Sequence, residues 1–313
     1  MPSLQPPAQP GSPQPAPALR AGVAPSAVGL PPGPWASWLD FFAARFAHVP
    51  RAEWQERLAR GDVRDAQGLP LAPEAPYRPH GKAWYYRALA QEPRVPFEAE
   101  ILFRDAHLLV VDKPHWLAVT PGGRHLQETL LVRLKQQLDL PMLQPLHRID
   151  RETAGLVLFG LQVAERGAYQ ALFRERRVHK TYEAVAPLRA DLALPLVRES
   201  RLQEGTPFFR QREAEGPPNA LTRIALRERA GDWGLYQLEP LTGQRHQLRV
   251  HMAALGLPIR FDAFYPEVLR GPDAPDEHAR PLQLLARTLA FEDPVTGQAR
   301  RFTSRRTLTW FRP

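Results

Sequence analysis

The chain has 313 residues, 43% of them hydrophobic and none of them cysteine, so it can bury a sizeable core but forms neither disulfides nor thiolate metal sites. Lysine and arginine outnumber aspartate and glutamate 41 to 33, a formal net charge of +8; this suits a polyanionic partner such as RNA, and equally fits an arginine-rich proteome. No apolar run is long enough to span a bilayer, and the start of the chain lacks the basic and apolar stretches of a signal peptide, so the expectation is a cytoplasmic protein without membrane attachment.

Residues 1–34 hold eleven prolines among Ala, Gly, Ser and Gln, a composition that predicts a disordered or extended tail. Residues 35–46 (WASWLDFFAARF) and 52–61 (AEWQERLARG) read as two short helices, the second ending at a glycine. A strand and turn follow over 62–71. Two helices followed by GDV and a Gly-containing turn resemble a degenerate S4-type RNA-binding module; an ordinary small N-terminal subdomain over 35–94 fits as well.

From about residue 95 the texture changes to that of a larger domain reaching residue 313. Residues 99–103 and 108–112 are apolar β-rich runs separated by Arg-Asp-Ala-His, a hairpin pattern. Helical spacing covers 127–138, a short buried strand 155–160, a helix with a basic end 163–177 and a strand 180–186. Residues 221–229 and 235–241 alternate as an antiparallel pair. A helix over 245–255 ends at Gly256, and strands 282–292 and 298–304 flank the turn Pro294-Val-Thr-Gly297. Strands joined mostly by turns predict an α+β fold: a mixed, mainly antiparallel central sheet with peripheral helices.

The run HRIDRETAGLVLF at 147–159 leads a cluster of charges directly into a buried strand. Asp150, between Arg148 and Arg151, is a carboxylate that neighbouring cations can keep ionised and that the following strand can aim, as a nucleophile or general base requires. By spacing alone, a surface salt-bridge cluster is the commoner outcome of such a run.

The same run closely resembles the HRLDRxTSGLLLF signature of the RluA-type pseudouridine synthases. KTYEA at 180–184 resembles that family's KxYxA strand, LTGQRHQLRVHM at 241–252 its TGRTHQIRVHM element, and ILFRDAHLLVVDKPHWLAVT at 101–120 its opening. All four occur in family order. The resemblance implies isomerisation of a uridine in ribosomal RNA or a transfer-RNA stem-loop, by flipping the nucleotide, cleaving its N-glycosidic bond and rejoining C5 to the ribose. It implies Asp150 as catalytic aspartate, either attacking C1′ or removing the C2′ proton. Tyr182 stacks on the flipped uracil and is a candidate acceptor of the C5 proton. Arg249 ion-pairs with Asp150, and Arg148 fills the gap in the RNA stack. Arg174, Arg176, Arg177, His179 and Lys180 become a phosphate track, with Arg151, Arg245 and His246 as further RNA contacts. The chemistry calls for no cofactor and no metal: HExxH is absent, and His246 and His251, five apart, do not share a helix face. Structured RNA is the expected partner of a monomer.

Several positions depart from the family pattern. Gln244-Arg245 stands where glycine is usually followed by Arg and then Thr or Ser. Phe261-Asp262 replaces Gly-Asp, Leu257 stands in place of His, and Leu285 replaces the histidine of LHA. These touch the cleft rim and sheet, and so substrate choice more than reaction type. Two other readings compete: a catalytically silent RNA-binding or ribosome-assembly protein with the same fold, and a glycosidase, which Asp150 and Glu152 on one loop fit poorly.

Overall fold

The computed structural model describes residues 17–87 and 92–309; what the sequence suggests for 1–16, 88–91 and 310–313 lies outside the described residues. The chain divides into two compact units, Met1–Ala90 and Gln91–Pro313.

The first unit contains β1 (Ser26–Gly29), α1 (Trp38–Arg45), α2 (Arg51–Ala59), β2 (Val63–Arg64) and β3 (Lys82–Tyr85). α1 starts where Ser37 and Asp40 form a reciprocal cap: the Ser37 hydroxyl accepts the Asp40 N–H at 3.2 Å and the Asp40 carboxylate accepts the Ser37 N–H at 3.1 Å. Both helices turn aromatic side chains inward, so that Trp38, Phe41, Phe42 and Trp54 form one core with Leu58, Val28, Val63 and Ala83. The three strands pair antiparallel in the order β1-β3-β2. β1 refines the sequence reading, which placed 26–29 in a disordered or extended tail ahead of a helical extension. The prolines flank the strand rather than interrupt it. Val28 and Leu30 bury themselves in the aromatic core, and that burial outweighs the proline-rich composition around it.

The second unit runs β4 (Glu100–Arg104), β5 (Leu108–Lys113), α3 (Leu130–Leu138), β6 (Gln144–Pro145), β7 (Ala154–Gly160), α4 (Arg166–Arg174), β8 (His179–Pro187), β9 (Leu196–Glu204), β10 (Gln211–Ala214), β11 (Ala220–Ala230), β12 (Trp233–Pro240), α5 (Gln247–Ala254), β13 (Leu284–Glu292) and β14 (Ala299–Thr303). These strands form one 11-stranded sheet in the order β10-β9-β11-β12-β8-β13-β7-β5-β4, with β6 added to β7 and β14 to β13. Among the described strands, β13 and β7 alone pair in parallel. This is the mixed, mainly antiparallel α+β architecture the sequence predicts.

β5 and β7 are buried along their whole length, because alternate residues serve two different cores. Leu109, Val111, Val157 and Phe159 pack under α3. Leu108, Val110, Leu156 and Leu158 pack against Tyr169 and Leu172 of α4. At roughly 1.5–3 kcal/mol for each fully buried aliphatic side chain, this strand pair is firmly held, and the loop carrying Asp150 enters it directly. β9 and β10 escape a reading by hydrophobic pattern because they form the sheet edge, where charged side chains replace the apolar alternation.

Gly155 is where two constraints meet. Its φ is +111°, and a Cβ there would sit 2.3 Å from the Ala286 carbonyl oxygen of β13. The absent side chain therefore lets β13 close against β7 immediately after the Asp150 loop. Gly155→Ala is expected to destabilise the protein by about 3 kcal/mol or more, measured by denaturant unfolding; a loss within about 0.5 kcal/mol, the scale of a neutral surface change, would contradict this packing.

Candidate active site

The segment between β6 and β7 presents Asp150, and it is pinned at several points. The Leu146 N–H donates to the Leu158 carbonyl at 2.9 Å. The His147 Nε2 accepts the Leu158 N–H at 3.1 Å while its ring stacks on Phe173 at 4.6 Å. The Thr153 N–H closes a turn on the Asp150 carbonyl at 3.1 Å. Beneath the loop, buried Lys113 donates to the carbonyls of Pro114, Leu117 and Arg151 at 2.9, 2.8 and 3.1 Å. Burial draws its ammonium down to about 7, against the pull of the Glu152 and Asp150 charges. Three carbonyl acceptors match the three donors of the charged form and favour it.

Asp150 opens onto a cavity of about 790 Å³. Besides the segment 144–150 itself, its walls include Phe173 and Arg174 of α4, Lys180 and Tyr182 of β8, Leu284 of β13, and Leu248 and Arg249 of α5 with residues 240–244, His246 and Gln247 of the turn leading into them. Gln247 fixes that turn with every hydrogen-bonding group it has. Its Oε1 accepts the Thr242 hydroxyl at 2.7 Å and the Gln244 N–H at 3.0 Å, and its Nε2 donates to the Leu221 carbonyl and the Thr222 hydroxyl, both at 3.0 Å.

Arg249 is only 1% exposed. Its Nε and Nη2 grip Asp262 at 2.8 and 2.7 Å, a bidentate pair of the strongest type. The remaining Nη1 lies 3.5 Å from Asp150 Oδ2 and 3.5 Å from Glu152 Oε2. The expected pairing of Arg249 with Asp150 is thus present but is the minor half of the contact. Asp262 is the main partner, and its Oδ1 also accepts the N–H groups of Phe264 and Tyr265 at 2.8 and 3.2 Å.

Burial alone would raise the Asp150 pKa. His246, Arg249 and Lys113 outweigh it and hold the carboxyl below its ordinary 3.8. His246 is itself pushed below 6.5 by burial and by Arg249 and Arg245, so near neutral pH it acts on Asp150 as a dipole, and the permanent charge comes from Arg249. Burial and the Asp150 charge push the Tyr182 hydroxyl well above the usual phenol value, keeping it protonated. The arrangement is an ionised carboxylate at the floor of an open cavity, beside a neutral aromatic ring and a fixed cation.

Comparison with known proteins gives this arrangement a family. The family described as RNA pseudouridylate synthase matches residues 107–254. An uncharacterized RNA pseudouridine synthase of Synechocystis is 32% identical over 232 residues, 72% of this chain and 78% of the relative. The dual-specificity RNA pseudouridine synthase RluA of Escherichia coli is 33% identical over 211 residues, 64% of this chain and 90% of the relative. The chain belongs to the RluA-type RNA pseudouridine synthases. A solved structure of human RNA pseudouridylate synthase domain containing 1 superposes on 69% of this synthase and 86% of its own length, with a TM-score of 0.55 and 26% identity.

The sequence-predicted residues separate into two groups in the synthase. Asp150, Tyr182, Arg249, Arg148, Arg174, Arg176, Lys180 and His246 all line the cavity. Arg151, Arg177 and Arg245 do not. Arg151 turns away to pair with Asp276 and to lie over the Trp116 ring, and Arg245 donates to the Phe208 and Phe209 carbonyls at 3.5 and 2.9 Å. Arg177 is exposed and faces Glu175 at 3.7 Å. His246, read as an RNA contact, is buried and lies 4.0 Å from Asp150 Oδ2. Sequence reasoning missed Lys113, Tyr265 and the role of Asp262. Asp262 was visible as the second residue of the pair that replaces the family's Gly-Asp, but nothing in the spacing tied it to Arg249. Among the described residues no helix is long and apolar enough to cross a membrane.

Three histidines of the synthase give it an acid limit. His115, His147 and His251 are held down to about 4, 3 and 4, each mainly by burial. Unfolded, they take up protons near 6.5. The stability gained from keeping them neutral is therefore complete above pH 6.5 and is lost as pH falls through the folded values. The melting temperature is expected to fall steadily between pH 6.5 and about 4; a flat profile over that window would contradict the assigned environments.

Proposed function

We propose that this synthase converts a uridine in a stem-loop of ribosomal or transfer RNA to pseudouridine, with Asp150 as the catalytic carboxylate. The observation carrying the reading is the placement of Asp150: an anion stabilised by Arg249 and facing a cavity large enough for one extruded nucleoside. A uridine paired or stacked in RNA hides C1′ and the glycosidic bond, so it must be turned out before the carboxylate can reach the ribose. Exposed Arg148, two residues before Asp150, is placed to occupy the vacated stack with its planar guanidinium.

Tyr182 supplies a flat face for the uracil and, being a neutral phenol, adds no charge that would oppose cleavage. A neutral phenol does not retain an extra proton, so a C5 proton taken through Tyr182 passes onward to Asp150 or water. Whether Asp150 attacks C1′ or removes the C2′ proton, the same anion is required. Arg174, Arg176 and Lys180 on the cavity edge form a phosphate path that sets register on the RNA. The E. coli relative's name, a dual-specificity RNA pseudouridine synthase, supports stem-loops from more than one RNA as candidates.

The test uses ribosomal and transfer RNA carrying tritium at uridine C5. The wild type is expected to release tritium. Asp150→Asn should lower the rate by on the order of a thousandfold or more, with RNA affinity within about threefold, since the specific phosphate contacts are untouched. Equal release by Asp150→Asn, or binding without release by the wild type, would overturn the proposal.

A further inference from the structure

Arg249 fixes the charge of Asp150 better than its direction. Two of its nitrogens are committed to Asp262, and the third is shared between Asp150 and Glu152 at 3.5 Å each, at the long limit of a hydrogen bond. Something else must orient the carboxylate, and among the described residues His246 is a polar group placed to do so. His246 Nε2 lies 4.0 Å from Asp150 Oδ2, the same oxygen that faces Arg249. His246 is 8% exposed and sits in the left-handed region (φ 54°) just before α5. Histidine occupies that region more readily than most side chains, but at a cost that surrounding contacts must offset.

Those contacts fix the ring. The Gln211 N–H donates to the Tyr265 hydroxyl oxygen at 2.7 Å, and the same hydroxyl lies 2.9 Å from His246 Nδ1. A backbone N–H can only donate, so the Tyr265 oxygen accepts from Gln211 and its own proton is free for Nδ1. Tyr265 is 4% exposed, and burial keeps it a phenol. With Nδ1 accepting, the ring proton sits on Nε2, the nitrogen facing Asp150. Phe264, 6.1 Å away with its plane at 28° to the imidazole, supports the orientation.

We propose that His246 is a positioning residue for Asp150: held by the Tyr265 hydroxyl as its Nε2–H tautomer, it donates to Oδ2 in the RNA complex and sets which carboxylate oxygen faces the ribose. The 4.0 Å gap closes with a shift of about 1 Å, ordinary tightening for a site without its substrate. The relay begins on the β9–β10 hairpin at Gln211. That hairpin is docked by Arg245 to the Phe208 and Phe209 carbonyls and by Arg210 to the Pro266 carbonyl at 2.6 Å. Its tip carries Phe208, 71% exposed, on a segment tied through Arg245 to the residue preceding His246. RNA settling on the hairpin therefore bears on Tyr265 and, through it, on His246.

The inference rests on the proposed role of Asp150, and wild-type tritium release abolished in Asp150→Asn establishes that role separately. Single-turnover release at saturating RNA is then measured against pH for His246→Asn, His246→Gln and Tyr265→Phe. Asn tolerates the left-handed backbone but is too short to reach Oδ2, whereas the Gln amide nitrogen extends about as far as Nε2. Arg249, Lys113, Glu152 and Tyr182 remain around Asp150 in every variant, as do Arg245 and Arg249 around position 246, so differences in the acid limb report the lost donor. His246→Asn is expected to slow release roughly tenfold or more, to move the acid limb upward in pH and to leave RNA affinity within about twofold, with His246→Gln restoring most of the rate and Tyr265→Phe falling between. Weaker RNA binding with an unchanged saturated rate in His246→Asn would make His246 an RNA contact and overturn the proposal. So would a folded His246→Gln no faster than His246→Asn.

Discussion

The site depends on one buried guanidinium. Removing an ion from water costs several kcal/mol even after the protein relaxes, and Arg249, almost wholly enclosed, recovers that cost mainly through Asp262, with two short hydrogen bonds in bidentate geometry. Because Asp262 satisfies it, the guanidinium has a cationic edge left to direct at the cavity floor. Had Arg249 paired bidentately with Asp150 instead, the carboxylate would be stabilised but locked into a salt bridge and less free to react. A structural carboxylate behind the arginine and a reactive one in front divide these two tasks.

The remaining architecture holds that front carboxylate in place. The wholly buried strands β5 and β7 anchor the loop, Gly155 lets β13 close beside it, and Lys113 ties its backbone from beneath. On the facing wall, Gln247 fixes the turn that leads into α5, so Arg249 and His246 reach the cavity from a rigid base. Preorganisation of this kind matters because a reacting group displaced by about 1 Å can cost two orders of magnitude in rate.

Much of this was legible in the sequence. The apolar runs at 108–112 and 155–160 marked two buried strands, and the charged run before Gly155 located the Asp150 loop. Four family elements in order brought together Asp150, Tyr182 and Arg249, which the fold places around one cavity. What stayed hidden was contact between segments far apart in the chain. Asp262 pairs with Arg249 from outside any of the four elements, and Lys113 bonds backbone carbonyls, which carry no residue signal. Arg151 looked like an RNA contact because it neighbours Asp150, yet successive residues around a turn point in different directions and its partner Asp276 lies 125 positions away. β1 was hidden by composition: proline density around 26–29 masked a short strand whose Val28, with Leu30 just after it, completes an aromatic core.

The central claim is that Asp150 is an anion held by Arg249 within the folded protein. The most direct measurement is the carbon-13 NMR signal of the Asp150 carboxyl, assigned by its disappearance in Asp150→Asn and followed from pH 7 to the lowest pH at which the fold survives. The account predicts a wild-type midpoint below the ordinary 3.8 and a midpoint at higher pH in Arg249→Met. A wild-type midpoint above 3.8, or one that Arg249→Met leaves unmoved, would contradict it.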